Sequence, residues 1–250
     1  MDHVPTGRRR ARRTRPEEQQ TPMNVPYRGP HNGPSHDIHA RLLTEPFQNA
    51  APYLRVVLTG DPTALGGDKL AYSVNPLLTA LLCFRLNPSS YEAAILDRRH
   101  AEAWGLTKQD LWFTALGNMA HDQYDLQSFP TNADTAVNVV HGITWPGSAH
   151  VMRLVEIMRE PAPFGAVVML PSPNTMLYAV LHSKRSRPII PFIYQTFQSL
   201  VEDGDPLTDQ LIWWRNGQVT GMATRPGEGG SVQVSQNREF SFLLDHELPD

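Results

Sequence analysis

Residues 82–119 read LCFRLNPSSYEAAILDRRHAEAWGLTKQDLWFTALGNM, and the order of signals in this stretch decides the fold. It begins inside an apolar run, Leu77–Leu86, entered at Pro76 and left at Asn87-Pro88. Such a run fits a buried strand, or a short helix leading into a strand, and periodicity does not choose between them. Tyr91–Leu96 follows as a strand. Asp97 then predicts a helix cap for DRRHAEAW, with Gly105 as the left-handed residue that ends it. Thr107 and Asp110 form the T-x-x-D pattern of a reciprocal cap. Leu111, Trp112, Ala115, Leu116 and Met119 recur behind it on one helical face.

Working outward, YLRVVLT (Tyr53–Thr59) predicts a strand stopped by Gly60-Asp61-Pro62, and Leu70–Val74 a shorter one. Val137–Thr144 is β-branched and predicts another strand. Val151, Met152, Leu154, Val155 and Met158 predict a third helix, ended by Pro161. Ala166–Leu181 predicts a hairpin around PSPN, with proline at the second turn position. Phe192–Asp203 predicts an amphipathic helix with Ile193, Phe197, Leu200 and Val201 inward and Gly204 after it. Asn216-Gly217, between LIWWR and QVTGM, is the pair favoured in a two-residue type I′ turn. That register sets Trp214 against Val219 and Trp213 against Thr220, on opposite faces, so one tryptophan lies nearer the core and the other under a helix or exposed. Hairpins mixed with single helices predict an α+β domain, a mixed and largely antiparallel sheet with helices packed on it. The domain is placed over residues 46–250, behind a disordered Arg/Pro/His-rich arm over residues 1–45 that shows no apolar period.

The 250 residues, 40% hydrophobic and 19% charged, suit one folded domain with an appended arm, large enough to need no metal or disulfide to hold its core. Cys83 is the one cysteine, which excludes an intrachain disulfide, and its apolar neighbours make it a core residue, not a nucleophile. A reducing, cytoplasmic setting follows as the expectation. No stretch reaches the ~20 apolar residues of a membrane helix, and no apolar segment follows the N-terminal arginines, so neither membrane nor export signal is expected. Residues 1–20 carry Arg8, Arg9, Arg10, Arg12, Arg13 and Arg15 against Asp2, Glu17 and Glu18, a charge of +3; the chain as a whole is −3, so the body is acidic. The arm would touch nucleic acid or another anionic partner weakly and with strong salt dependence. No aromatic residue interleaves with its arginines to stack bases.

The segment from Tyr53 to Gly221 resembles the DUF1444 (YtpQ-like) family of uncharacterised proteins, in its actinobacterial-type branch. AEAWGLTKQDLWFTALGNM is similar to that family's helix pair, with Trp104, Gly105, Leu111, Ala115 and Asn118 at the matching positions. VVMLPSPNTMLYAVL resembles its strand–P-S-R-D–strand hairpin, and DPLTDQLIWWRNGQV resembles its "pLs-x-x-l-f-x-w-x-x-G" ending. Pro173-Asn174 stands where the resemblance implies Arg-Asp, and Arg85-Leu86 where it implies an acidic residue. The family's activity is unknown, so the resemblance implies the fold and no catalytic residue.

Chemistry-bearing clusters are sparse. HNGPSHDIH brings His31, His36, Asp37 and His39 together, a density that binds zinc or nickel loosely when no rigid second shell selects the metal. His121, Asp122, His141 and His150, with Asp125 nearby, would form a metal site or an acid–base pair if the fold brought them together. Their spacing does not require it, and a histidine after a helix is also favoured by the helix dipole. Asp203, Asp205 and Asp209 fail the calcium-loop pattern at Thr208 and Trp214. Gly227, Gly229 and Gly230 lie between strand candidates, the wrong context for a phosphate loop. Ser148 reads as a helix-start residue. No cofactor motif is present, and no catalytic residue is assigned. Trp213, Trp214 and Arg215 have the composition of an interface. The expected function is therefore a cytoplasmic, non-enzymatic binding or accessory protein that meets a protein partner through a sheet edge or this hairpin. The alternatives are a metal-dependent hydrolase built on the His/Asp cluster and a nucleic-acid-associated protein working through the arginine arm.

Overall fold

The computed structural model describes residues 35–201, 206–227, 232–235 and 237–250. The chain enters through α1 (Ser35–Thr44), the single turn α2 (Phe47–Ala50) and a 3-10 turn over Ala51–Tyr53. β1 (Leu54–Thr59), β2 (Ala71–Asn75), β3 (Leu78–Arg85) and β4 (Ala93–Ile95) form a small antiparallel sheet. β3 is its centre, with β1 on one side and β2 and β4 in succession on the other. Every residue of β3 is buried, which is why its sequence runs apolar without alternation and resolves as a strand.

α3 (Arg98–Trp104) and α4 (Lys108–Met119) follow with the caps that their sequence specifies. The Asp97 side chain accepts from the Arg99 amide, Gly105 ends α3 at φ 63°, and Thr107 and Asp110 cap α4 reciprocally. Leu111, Ala115 and Met119 bury the inner face of α4 against β1. The remaining residues of the helix-pair motif are also structural. The Trp104 indole Nε1 donates to the Glu45 carbonyl at 3.1 Å, and Asn118 Nδ2 donates to the Ala51 and Leu54 carbonyls at 2.6 and 3.1 Å. The pair thereby clamps the chain where it enters the sheet.

The larger sheet is built from β5 (Tyr124–Pro130), β6 (Ala136–Gly142), β7 (Ala166–Ser172), β8 (Thr175–Val180), β9 (Thr208–Arg215) and β10 (Gln218–Met222). Its order is β10-β9-β7-β8-β6-β5, antiparallel throughout. A 3-10 helix (Gly147–Arg153) and the turn α5 (Leu154–Ile157) connect β6 to β7, and α6 (Ile189–Leu200) connects β8 to β9. A ribbon of β11 (Thr224–Pro226) and β12 (Val232–Val234), α7 (Arg238–Phe242) and a π-turn at Leu243–Glu247 complete the described chain.

The layers follow from strand alternation. Val140, Val168, Met176, Tyr178, Ile212 and Trp214 turn one face of the large sheet into the core shared with the small sheet and α4. Val137, Val167, Met169, Leu177, Ala179 and Trp213 turn the other face toward α6, α7 and the C-terminal turn. Ile189, Ile193 and Phe197 of α6 are buried there, each contributing roughly 1.5–3 kcal/mol by removal from water. The expected α+β class, with a largely antiparallel sheet and packed helices, holds. Among the described residues no helix is long and apolar enough to cross a membrane.

Four elements differ from the sequence reading. Ser35–Thr44, placed in the arm, is a helix; it carries few apolar residues, but Leu42 is fully buried by docking on the body. The third helix is mostly 3-10, with one α turn, and Val155 is exposed. α6 begins at Ile189, three residues early, and Leu200 is 40% exposed, not inward. Tyr124–Pro130 is a strand where the sequence suggested only the end of a helix. The Asn216-Gly217 hairpin has the expected register, Trp214 opposite Val219 and Trp213 opposite Thr220.

Candidate functional site

Asp122 sits in the loop between α4 and β5, and it is buried. Its carboxylate receives Arg55 Nε at 2.7 Å and Nη2 at 3.2 Å, while Arg85 Nη1 lies 3.7 Å away. Arg55 and Arg85 come from β1 and β3 and are themselves buried. Arg55 Nη1 also donates to the Pro52 and Leu54 carbonyls at 2.8 Å, and Arg85 to the Asn87 and Pro88 carbonyls. The fully buried Trp145 donates its indole N–H to the Val56 carbonyl at 2.7 Å, and the Arg85 guanidinium stands 5.7 Å from its ring centre. Burial pulls the Arg85 pKa down, opposed by the Asp122 charge. A carboxylate held by two guanidiniums, each with further acceptors, is a structural clamp between the small sheet and the start of β5.

His150 lies near this clamp. It is buried beside Tyr124, with ring centres 5.2 Å apart, and its Nε2 has no hydrogen-bond partner among the described residues. Burial pushes its pKa down to about 4, against the pull of Asp122. The other two members of the expected cluster stand apart. His121 is exposed. His141 is on the surface, its Nε2 2.9 Å from Asn174 Nδ2 and its Nδ1 3.3 Å from Thr175 Oγ1. The fold therefore brings Asp122 and His150 into electrostatic reach and leaves His121 and His141 outside. Among the described residues no three His, Cys, Asp or Glu side chains converge on a metal position. Asp125 is exposed on β5, where it accepts from Gln127. Ser148 is buried in the 3-10 helix. Cys83 is fully buried, and burial raises its thiol pKa, as a core residue requires. The arginines of the arm, His31, Asp203, Gly204, Asp205, Gly229 and Gly230 lie outside the described residues.

The tryptophans are not surface residues. Trp213 is 4% exposed beneath α7, with Phe240 at 5.3 Å between ring centres, and its Nε1 donates to the Phe164 carbonyl at 3.1 Å. Trp214 is 6% exposed in the core facing the small sheet. Both tryptophans of the expected interface are therefore buried, while Arg215 is half-buried, pairs with Glu247 at 2.9 Å and lies 5.6 Å from the Trp213 ring centre.

What the hairpin does offer is an edge with space on both sides. β10 ends the large sheet and, among the described residues, pairs only with β9. One cavity, about 520 Å³, is lined by Trp213, Thr220 and the exposed Phe242 together with two arginines, Arg215 and Arg238, and two carboxylates, Glu239 and Glu247. A second, about 380 Å³, is lined by Tyr72, Val74, Trp112, Met152, Gln218 and Thr220. Arg215 and Gln218 flank the two-residue turn and are the hydrogen-bonded pair of such a hairpin, so by alternation Val219 turns its N–H and C=O toward the open edge. Arg238 has no hydrogen-bond or ion-pair partner among the described residues. Sequence reasoning found Arg215 here but not Gln218, Thr220 or Arg238; the Asn-Gly turn marks the hairpin, but nothing local marks it as the end of the sheet. No protein-family model, curated protein or solved structure matches the chain, so the DUF1444 resemblance rests on its sequence patterns alone.

Proposed function

We propose that the protein is a non-enzymatic, cytoplasmic binding protein that captures an extended segment of a partner polypeptide along β10. The observation that carries this reading is the pair of cavities flanking one open edge strand. A strand added to an edge gains main-chain hydrogen bonds, and its side chains point alternately to opposite faces. Along β10, successive partner residues would therefore enter the Trp213 cavity and the Tyr72–Trp112 cavity in turn.

The test is capture of partners from native cells by the tagged full chain, compared with a Gln218→Lys, Thr220→Lys variant. Lysines on an edge strand oppose strand addition while leaving its pairing with β9 intact. The expected result is a stoichiometric polypeptide retained by the wild type and reduced about tenfold or more, roughly 1.4 kcal/mol, in the variant at unchanged thermal stability. Equal retention by the variant, or no polypeptide at all, would overturn the reading.

A further inference from the structure

The loop before β2 and the first residues of α3 and α4 wall a cavity of about 430 Å³. Three cations line it, Lys69 from the loop, Arg98 from α3 and Lys108 from α4, together with two carboxylates, Asp68 and Glu102. Its volume is that of a small-molecule site.

The five charges are engaged unequally. Arg98 and Glu102 stand 4.0 Å apart with both side chains largely exposed, so the pair holds neither firmly. The charge of Asp68 acts on Arg99, and its carbonyl accepts from the Arg98 amide at 2.8 Å. The exposed Lys69 side chain makes no hydrogen bond or ion pair among the described residues, although its charge reaches Asp61. Lys108 is half-buried. Its ammonium donates to the Ala71 carbonyl and stands 3.8 Å from the centre of the Tyr72 ring, which fixes its position. One bond to a carbonyl leaves two of its three N–H donors. Among the described residues no carboxylate pairs with it, and burial pulls its pKa down with no opposing charge to offset that pull. A partly desolvated ammonium without a counter-charge is costly, and an anion in the cavity would remove that cost.

We propose that this cavity binds the phosphate group of a small phosphorylated molecule, with Lys108 and Lys69 as its ligands and Arg98 exchanging Glu102 for it. A phosphate monoester presents three acceptor oxygens and close to two charges, which suits donors on three separate elements better than a carboxylate does. The inference does not depend on β10.

The test is a titration of the isotope-labelled full chain with phenyl phosphate, followed by amide NMR shifts, with benzoate as the carboxylate of the same ring. The expected result is one saturable equivalent at about 20 mM salt, weakened at about 200 mM, with the largest shifts at Gly67–Lys69 and Lys108 and little response to benzoate. Lys108→Met is expected to weaken binding at least about tenfold, the exposed Lys69→Met at least about fivefold, and Arg98→Gln by less. If Lys108→Met fails to fold, the Lys69 variant decides the matter. A full chain with Arg8→Gln, Arg9→Gln, Arg10→Gln, Arg12→Gln, Arg13→Gln and Arg15→Gln is expected to bind as the wild type does. Equal binding by wild type and Lys69→Met, equal affinity for benzoate, loss of binding in the arginine variant, or no saturable binding at all would each overturn the proposal.

Discussion

Among the described residues, the large sheet ends in two strands, each paired on one side only, that are built differently. β5 has seven residues, and Gln127, Ser128, Phe129 and Pro130 are all exposed. It carries features that discourage strand addition, the charge of Asp125 and the missing N–H of Pro130. β10 has five residues, with Val219 buried, and a cavity on each of its faces. An open edge is common in sheets; room on both faces for alternating side chains is what the proposed strand addition would use. The anchors differ as well. β5 is held at its start by the buried Arg55–Asp122–Arg85 clamp and the Tyr124–His150 contact, whereas β10 is held by the Trp213 and Trp214 pairs across β9.

The largest effect is expected at the β5 anchor. Asp122→Ala leaves two buried guanidiniums without a counter-charge and is expected to lower stability by about 3–5 kcal/mol in urea unfolding. A loss below about 1 kcal/mol would mean that Arg55 and Arg85 reach water. Next comes pH. The folded-state pKa of His150, pushed down to about 4, lies below the ordinary value of about 6.5, so the unfolded chain takes up the proton first. Its contribution is fully present above about pH 6.5 and is lost as pH falls to about 4, on the order of 3 kcal/mol. Replacing His150 by Leu should flatten that part of the stability–pH curve relative to wild type; parallel curves would contradict it. At the β10 edge, Gln218→Lys with Thr220→Lys is expected to change stability by less than about 0.5 kcal/mol while removing the captured partner. The smallest effect belongs to Gln127→Lys on β5, expected to alter neither stability nor capture.

Much of this fold is readable from local signals. The α3–α4 pair is specified within single turns by Asp97, Gly105, Thr107 and Asp110, and the β9–β10 hairpin by Asn216-Gly217. What escapes is what distant residues decide. α1 has a weak apolar stripe and is held by contacts such as His39 with His100, 61 positions away. β5 reads poorly because an edge strand buries little, so its alternation of Tyr124 and Leu126 with polar residues is short. Asp122 is visible as a candidate acid, but its guanidinium partner Arg55 lies 67 positions upstream, and that distance separates a structural clamp from a metal ligand. The burial of both tryptophans likewise depends on α7 and the small sheet, neither of which the hairpin sequence announces.

The most direct measurement is amide hydrogen exchange of the full chain, free and bound to its captured partner. Slowed exchange at Val219 is expected on complex formation, with the amides of β5 unchanged. Protection confined to β5, or none at Val219 in a stoichiometric complex, would contradict it.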